Sequence, residues 1–162
     1  VAGGYRRRAA RRASTRLVSP PVFKRLMTAP LYLDTSAVLR ALLEAGTSPQ
    51  VEERIKQATL LVTSRLSLVE AARAVLRIRT LGLVSEQALA DASRELDALW
   101  ARCDVWGLTT QVCELAERVA PTKSLRTLDA LHLSTYLLAR RHIEGLELLT
   151  ADRRLAEAAG EP

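Results

Sequence analysis

The sequence predicts an α/β domain, with a central, mostly parallel sheet of about four to five strands wrapped by helices. Short apolar runs alternate along the chain with longer stretches of helical periodicity, the pattern of βα units feeding a parallel sheet. A length of 162 residues suits one domain with a real core. Apolar residues make up 48% of the chain but aromatic ones only 4%, a balance that favours a helix-rich globular protein over an all-β or disordered one.

The elements follow in order. Leu31-Tyr32-Leu33 reads as the first strand, closed by Asp34 and followed by a helix through Val38, Leu39, Leu42 and Leu43 that Gly46 would end. An amphipathic piece from Val51 to Gln57 leads to Leu60-Leu61-Val62-Thr63, the second strand. Ser67 to Leu81 makes a strong helix stopped by Gly82, and Ser85 opens another that continues to about Trp100. Cys103 to Trp106 is the third strand, followed by helices from about Thr110 to Val119 and Thr127 to Arg141. Leu146 to Leu149 is the last strand, and Asp152 begins the final helix. No internal repeat and no Gly-rich phosphate loop is present. No apolar run approaches the roughly 18 residues that a membrane span requires, so the domain is expected to be soluble and cytoplasmic, with no membrane partner.

The formal charge of +6 is unevenly spread. Residues 1–26 hold eight Lys or Arg and no acid, which leaves sixteen basic against eighteen acidic residues in 27–162. The high pI therefore describes a tail and not a basic domain. Residues 1–26 have little apolar periodicity and include Ser19-Pro20-Pro21, so they are expected to form a disordered extension. An Arg-rich, acid-free opening also fits a transit peptide or an arm for nucleic-acid phosphates, whereas a twin-arginine signal would need an apolar region that is missing. Met27 is the one methionine and lies just before the first strand. The working protein is accordingly expected to begin near Met27, with residues 27–162 as the domain.

Cys103 and Cys113 do not have zinc-ligand spacing, and no histidine cluster accompanies them. Reduced, buried thiols are expected.

Four acids stand where a strand gives way to a helix or a helix begins: Asp34, Glu70, Asp129 and Asp152. In open α/β sheets ligands bind outside the carboxyl ends of the strands. Asp34 ends the first strand and Asp152 follows the last, so both should stand at that edge, and helix starts can bring Glu70 and Asp129 to the same crevice. Each acid also has a purely structural explanation. Asp34 and Asp152 could be N-caps, Ser67 and Glu70 have the spacing of a capping box, and Asp129 could complement the helix dipole. Taken jointly, the four read as a carboxylate cage for a hard divalent cation.

The segments Tyr-Leu-Asp34-Thr-Ser, Ser-Leu-Val-Glu70, Leu-Asp129-Ala-Leu-His-Leu and Leu-Thr-Ala-Asp152-Arg-Arg-Leu resemble those of a PIN domain, and within that family the VapC-type toxins of bacterial toxin–antitoxin pairs. The similarity spans about residues 30–158. It implies a Mg²⁺- or Mn²⁺-dependent endoribonuclease acting on RNA, a homodimer, and inhibition by a cognate VapB-like antitoxin. It also implies that Asp34, Glu70, Asp129 and Asp152 form the catalytic and metal-binding set. Asp34 and Asp129 are assigned as direct ligands, with Glu70 and Asp152 acting directly or through water. Carboxylate oxygens match hard Mg²⁺ or Mn²⁺, and four acids together repel one another, so some of their pKa values should rise as a coupled set.

Among the neighbours, Thr35, Ser36 and Thr150 are candidate supports for a carboxylate, against ordinary capping and turn chemistry. Arg126 and Arg153 are candidates to touch RNA phosphate, against simple solvation. His132, one turn after Asp129, is expected to be a satisfied structural histidine rather than a substrate contact. Trp100 and Trp106 are expected in core or dimer packing rather than stacked on bases.

Phosphatases of the haloacid dehalogenase type need a second acid two positions after the first, and Ser36 stands there instead. A receiver domain wants an acidic pair and a late lysine in a pattern this chain lacks. The remaining alternative is a non-catalytic PIN-like module that binds RNA or protein, against which the four acids argue.

Overall fold

The computed structural model describes residues 29–43, 49–82 and 84–160. The expectations for residues 1–26 and for Gly46 lie outside this range. Four parallel strands form one sheet: β1 (Leu31–Leu33), β2 (Leu61–Ser64), β3 (Cys103–Trp106) and β4 (Glu147–Leu149), in the order β3-β2-β1-β4. Leu33 pairs with Thr63 on one side and Leu149 on the other, so β1 and β2 are the central strands. Parallel strands covered on both faces should be apolar throughout, and β1 is fully buried.

The helices connect and cover the sheet: α1 (Thr35–Leu43), α2 (Pro49–Gln57), α3 (Arg65–Leu81), α4 (Glu86–Trp100), α5 (Thr110–Ala116), α6 (Thr127–Arg140) and α7 (Arg153–Ala159). Side chains alternate across a strand, and that alternation divides the core in two. Leu31, Leu33 and Leu61 join Val38, Ile55, Val75, Leu89, Leu96 and Leu99 on one face, with Trp100 packed against them. Tyr32 and Val62 join Leu133, Tyr136 and Leu155 on the other, with Trp106 at its margin. Both tryptophans therefore serve packing.

Several helix ends follow from local chemistry. The Ser85 hydroxyl accepts from the Ala88 N–H at 3.2 Å, capping α4, and Thr109 does the same for Val112 at 3.3 Å, capping α5. Gly82 ends α3 at φ 63°, a left-handed conformation that glycine adopts without penalty. Several boundaries shift by one to three residues: β2 runs Leu61–Ser64, β4 starts at Glu147 and α5 ends at Ala116; the start of α3 differs in its chemistry as well. Ser64, not Ser67, caps α3, accepting from Leu66 N–H at 3.2 Å. The helix thus starts at Arg65, Ser67 is buried within it, and no capping box joins Ser67 to Glu70.

The strand order places β2 and β4 on opposite sides of β1. The chain leaves β1 towards one side of the sheet and returns to the other, so the carboxyl ends of β1 and β4 flank a topological switch point. Asp34 and Thr150 lie there.

Candidate active site

Asp34 follows β1 directly and is 5% exposed. Its Oδ2 accepts from the Ser36 N–H at 3.2 Å, from the Ser36 hydroxyl, and from the Thr150 hydroxyl at 2.8 Å. The Ser36 hydroxyl in turn accepts from the Ala151 N–H at 2.9 Å, which ties the turn after β1 to the turn after β4. Asp34 Oδ1 accepts no hydrogen bond among the described residues and lies 3.6 Å from His132 Nε2.

Glu70 stands in the second turn of α3 and is organised by two other side chains. Its Oε2 accepts from Thr35 Oγ1 at 2.5 Å and from His132 Nε2 at 2.8 Å. His132 comes from α6 and is 2% exposed, and its Nδ1 lies 3.3 Å from the Tyr32 hydroxyl. An ionised carboxylate only accepts, so Nε2 donates to Glu70. Burial, with the charge of Asp34, pushes the Tyr32 phenol upward and keeps it a donor.

Asp129, in the first turn of α6, accepts the Arg126 N–H on Oδ2 at 3.3 Å. This is half of a capping box, because an arginine side chain has no acceptor with which to complete it. Asp152 caps α7, its Oδ1 accepting from the N–H groups of Arg154 at 2.7 Å and Leu155 at 3.3 Å. The N-cap role foreseen for Asp152 is therefore real, Asp129 binds its helix through the Arg126 N–H, and both acids still line the shared cavity.

All four acids line one open cavity of about 530 Å³, together with Thr35, Ser36 and His132. Their electrostatics divide. Burial pushes the Asp129 carboxyl above its ordinary value, and the charges of Asp152 and Asp34 push it the same way. Burial works to raise Glu70 too, but the hydrogen bonds from His132 and Thr35 outweigh it and hold Glu70 below its ordinary value. Burial, with repulsion from Asp152 and Asp34 behind it, thus lifts Asp129, while Glu70 departs from the expected rise because two donors stabilise its charge.

The donor set is all carboxylate oxygen, which suits a hard divalent cation. Asp34 and Glu70 each have one oxygen committed to the protein, and Asp34 Oδ1 and Glu70 Oε1 accept no hydrogen bond among the described residues. Among the described residues no three metal-ligating side chains are drawn into a finished cluster. Mg²⁺ keeps several waters and takes one or two direct carboxylates.

The supporting residues separate clearly. Thr35 serves Glu70, while Ser36 and Thr150 serve Asp34. Arg126 presents its backbone to Asp129, and Arg153 pairs with Glu157 at 3.4 Å instead of facing the cavity. His132 does more than fill the core, since it joins Glu70 to Tyr32. Three residues were not foreseen at the site: Tyr32, and Arg73 and Arg77, which line the cavity wall from α3. The arginines follow Glu70 by three and seven positions, a helical register visible in the sequence. Cys113 is exposed and Cys103 half-buried, so the expected burial of both thiols is corrected.

The model of the PIN domain family matches residues 31–161. The chain is 30% identical over 131 residues to Ribonuclease VapC35 of Mycobacterium tuberculosis (strain ATCC 25618 / H37Rv), covering 80% of this chain and 89% of that protein. It is 31% identical over 133 residues to Ribonuclease VapC49 of the same strain, covering 80% and 91%. The crystal structure of PAE2754 from Pyrobaculum aerophilum matches with a TM-score of 0.59 at 25% identity, over 83% of this chain and 82% of that one. A parallel sheet with acids gathered at its switch point, and a family match that runs from β1 past α7, agree: the chain belongs to the PIN-domain family, alongside the VapC ribonucleases.

Proposed function

We propose that this protein is a divalent-cation-dependent endoribonuclease that hydrolyses RNA phosphodiesters, and that it acts as the toxin of a toxin–antitoxin pair. The observation that carries this reading is the convergence of Asp34, Glu70, Asp129 and Asp152 on one open cavity at the carboxyl edge of the sheet. The similarity to proteins named Ribonuclease VapC supports RNA as the substrate class.

In this reading Asp34 and Asp129 hold Mg²⁺ or Mn²⁺ directly, with Glu70 and Asp152 acting directly or through water. A cation held there would lower the pKa of a bound water and offset charge on the phosphate oxygens. The protein's own contribution is orientation. Ser36 and Thr150 fix the Asp34 carboxylate, and His132 and Thr35 fix that of Glu70 and keep it ionised.

A small antitoxin is the partner. A cavity lined by four acids is complementary to a basic segment, so an antitoxin arginine approaches the carboxylates and covers them. The protein works as a homodimer in the same reading.

The test is cleavage of a mixed RNA pool by partner-free protein with Mg²⁺, Mn²⁺ or EDTA, beside Asp34→Asn and Asp129→Asn variants. Cation-dependent cutting that both variants lose is expected. RNA binding with no cutting under any condition would return the protein to the class of binding modules.

A further inference from the structure

The cavity holding the acids does not end at Glu70. Its wall continues along α3 to Arg73 and Arg77, and a second depression of about 410 Å³, lined by Arg73, Leu76, Arg77 and Thr80, extends from the same two arginines. Glu70, Arg73 and Arg77 are spaced i, i+3 and i+7, so they share one face of the helix. Along the axis Arg73 lies about 4.5 Å beyond Glu70 and Arg77 about 6 Å beyond Arg73, the order of spacing between successive phosphates in an extended strand.

These arginines are exposed and make no ion pair or hydrogen bond among the described residues. Some other surface arginines are tied, Arg54 to Glu147 at 2.6 Å, Arg79 to Glu86 at 3.2 Å and Arg153 to Glu157 at 3.4 Å; Arg65, Arg118, Arg140, Arg141 and Arg154 are exposed and unpaired among the described residues too, but only Arg73 and Arg77 line the cavity that holds the acids. Arg73 lies one turn from Glu70 without pairing with it; the Glu70 Oε2 is bound by Thr35 and His132. Two unpaired guanidinium groups thus extend from the carboxylate end of a groove. Val69 and Leu128, 53% and 45% exposed, flank the same cavity and offer apolar surface to nucleobases.

We propose that Arg73 and Arg77 form a rail for the RNA backbone, binding the phosphates that neighbour the scissile one and directing the strand along α3. The proposal rests on the ribonuclease reading. A polyanion whose reacting phosphate sits at a cation held by the acids must lay further phosphates alongside, and α3 meets them with positive charge. An acidic peptide has no such reason to enter a cavity floored by carboxylates.

The test is anisotropy of a labelled single-stranded oligouridylate bound to the full chain in EDTA across a salt series. Residues 1–26 contribute equally to every variant, so differences report the groove. Each lost phosphate contact reduces the slope of log K against log salt by about 0.7 for a single strand. Arg73→Ala/Arg77→Ala is expected to flatten the slope by about 1.4, Arg73→Lys/Arg77→Lys to restore most of it, and Arg79→Ala to leave it unchanged. An unaltered slope in the double alanine variant, or no oligouridylate binding by the unmodified protein, overturns the rail. Loss of antitoxin inhibition with the RNA slope intact would also overturn it, assigning the arginines to the protein partner. Mn²⁺-dependent cleavage is measured separately. Cutting with an unaltered slope removes the rail and leaves the enzyme standing, whereas a flattened slope without cutting keeps the rail and removes the enzyme.

Discussion

His132 Nε2 lies 2.8 Å from Glu70 Oε2, joining the buried face of α6 to the cavity wall on α3. The opposite ring nitrogen meets Tyr32 from β1, so one imidazole links three elements of the fold. Replacing it by alanine would remove one partner of the buried Tyr32 hydroxyl and release the Glu70 carboxylate. His132→Ala should therefore lose about 2–4 kcal/mol of stability, the range for removal of a buried hydrogen-bonded group. It should also weaken cation binding. Urea titration and Mn²⁺ calorimetry check the two effects, and a variant as stable as the parent would show that the bonds do not hold Glu70.

Thr150 acts on Asp34 from across the switch point. Its hydroxyl is one of three donors on Asp34 Oδ2, so Thr150→Val keeps the shape and removes one of them. Loss of a single partner that orients a ligating carboxylate costs about tenfold in metal affinity. That loss is expected here, with RNA affinity in EDTA unchanged. Equal loss of RNA affinity would mean that the turn itself had moved.

The opposite shifts of Glu70 and Asp129 give opposite pH signatures. Glu70 lies below its unfolded value, so its contribution to stability is present above that unfolded value and disappears as pH falls through the folded one. Stability should fall more between neutral pH and pH ~3 in the parent than in Glu70→Gln, as read from chemical denaturation at each pH. Parallel curves would contradict the stabilising role of His132 and Thr35.

Asp129 carries the reverse sign. Its folded value is raised, so its favourable contribution is complete below the unfolded value and is lost as pH rises through the folded one. At neutral pH the cation-free protein bears that cost. Asp129→Asn should consequently be more stable than the parent in EDTA while losing cation-dependent cleavage. A destabilised variant would mean that the bond to the Arg126 N–H outweighs burial and repulsion.

The sequence disclosed most where local chemistry decides the outcome. Ser85 and the leucines at 89, 96 and 99 are enough to define α4, and the four acids were legible because each stands at a strand end or early in a helix. Ser67 misled because a helix start is settled by which residue is the last to keep the extended conformation, and Ser64 keeps it, still paired in β2, while Arg65 is already helical. Tyr32 reads locally as strand core. Its contact with His132 spans a separation of 100 residues, and only the packing of α6 against the sheet creates it. The same holds for the division of labour between Thr35 and Ser36: adjacent in sequence, they turn to different carboxylates.

The two cysteines report on the β3 side of the fold, away from the acids. Burial raises the Cys103 thiol to about 11, and its Sγ donates to the Leu99 carbonyl at 3.3 Å at the junction of α4 with β3. The thiolate is the reactive form, and a rise from 9.0 to about 11 cuts its population at neutral pH by about a hundredfold. Cys113 is exposed on α5. Iodoacetamide at neutral pH should therefore modify Cys113 first, with Cys103 reacting only slowly until the protein is unfolded. Peptide mass mapping over time separates them. Comparable rates in the native protein would mean that the α4–β3 junction opens readily, which would also loosen the packing of Leu99 and Trp100 against the core.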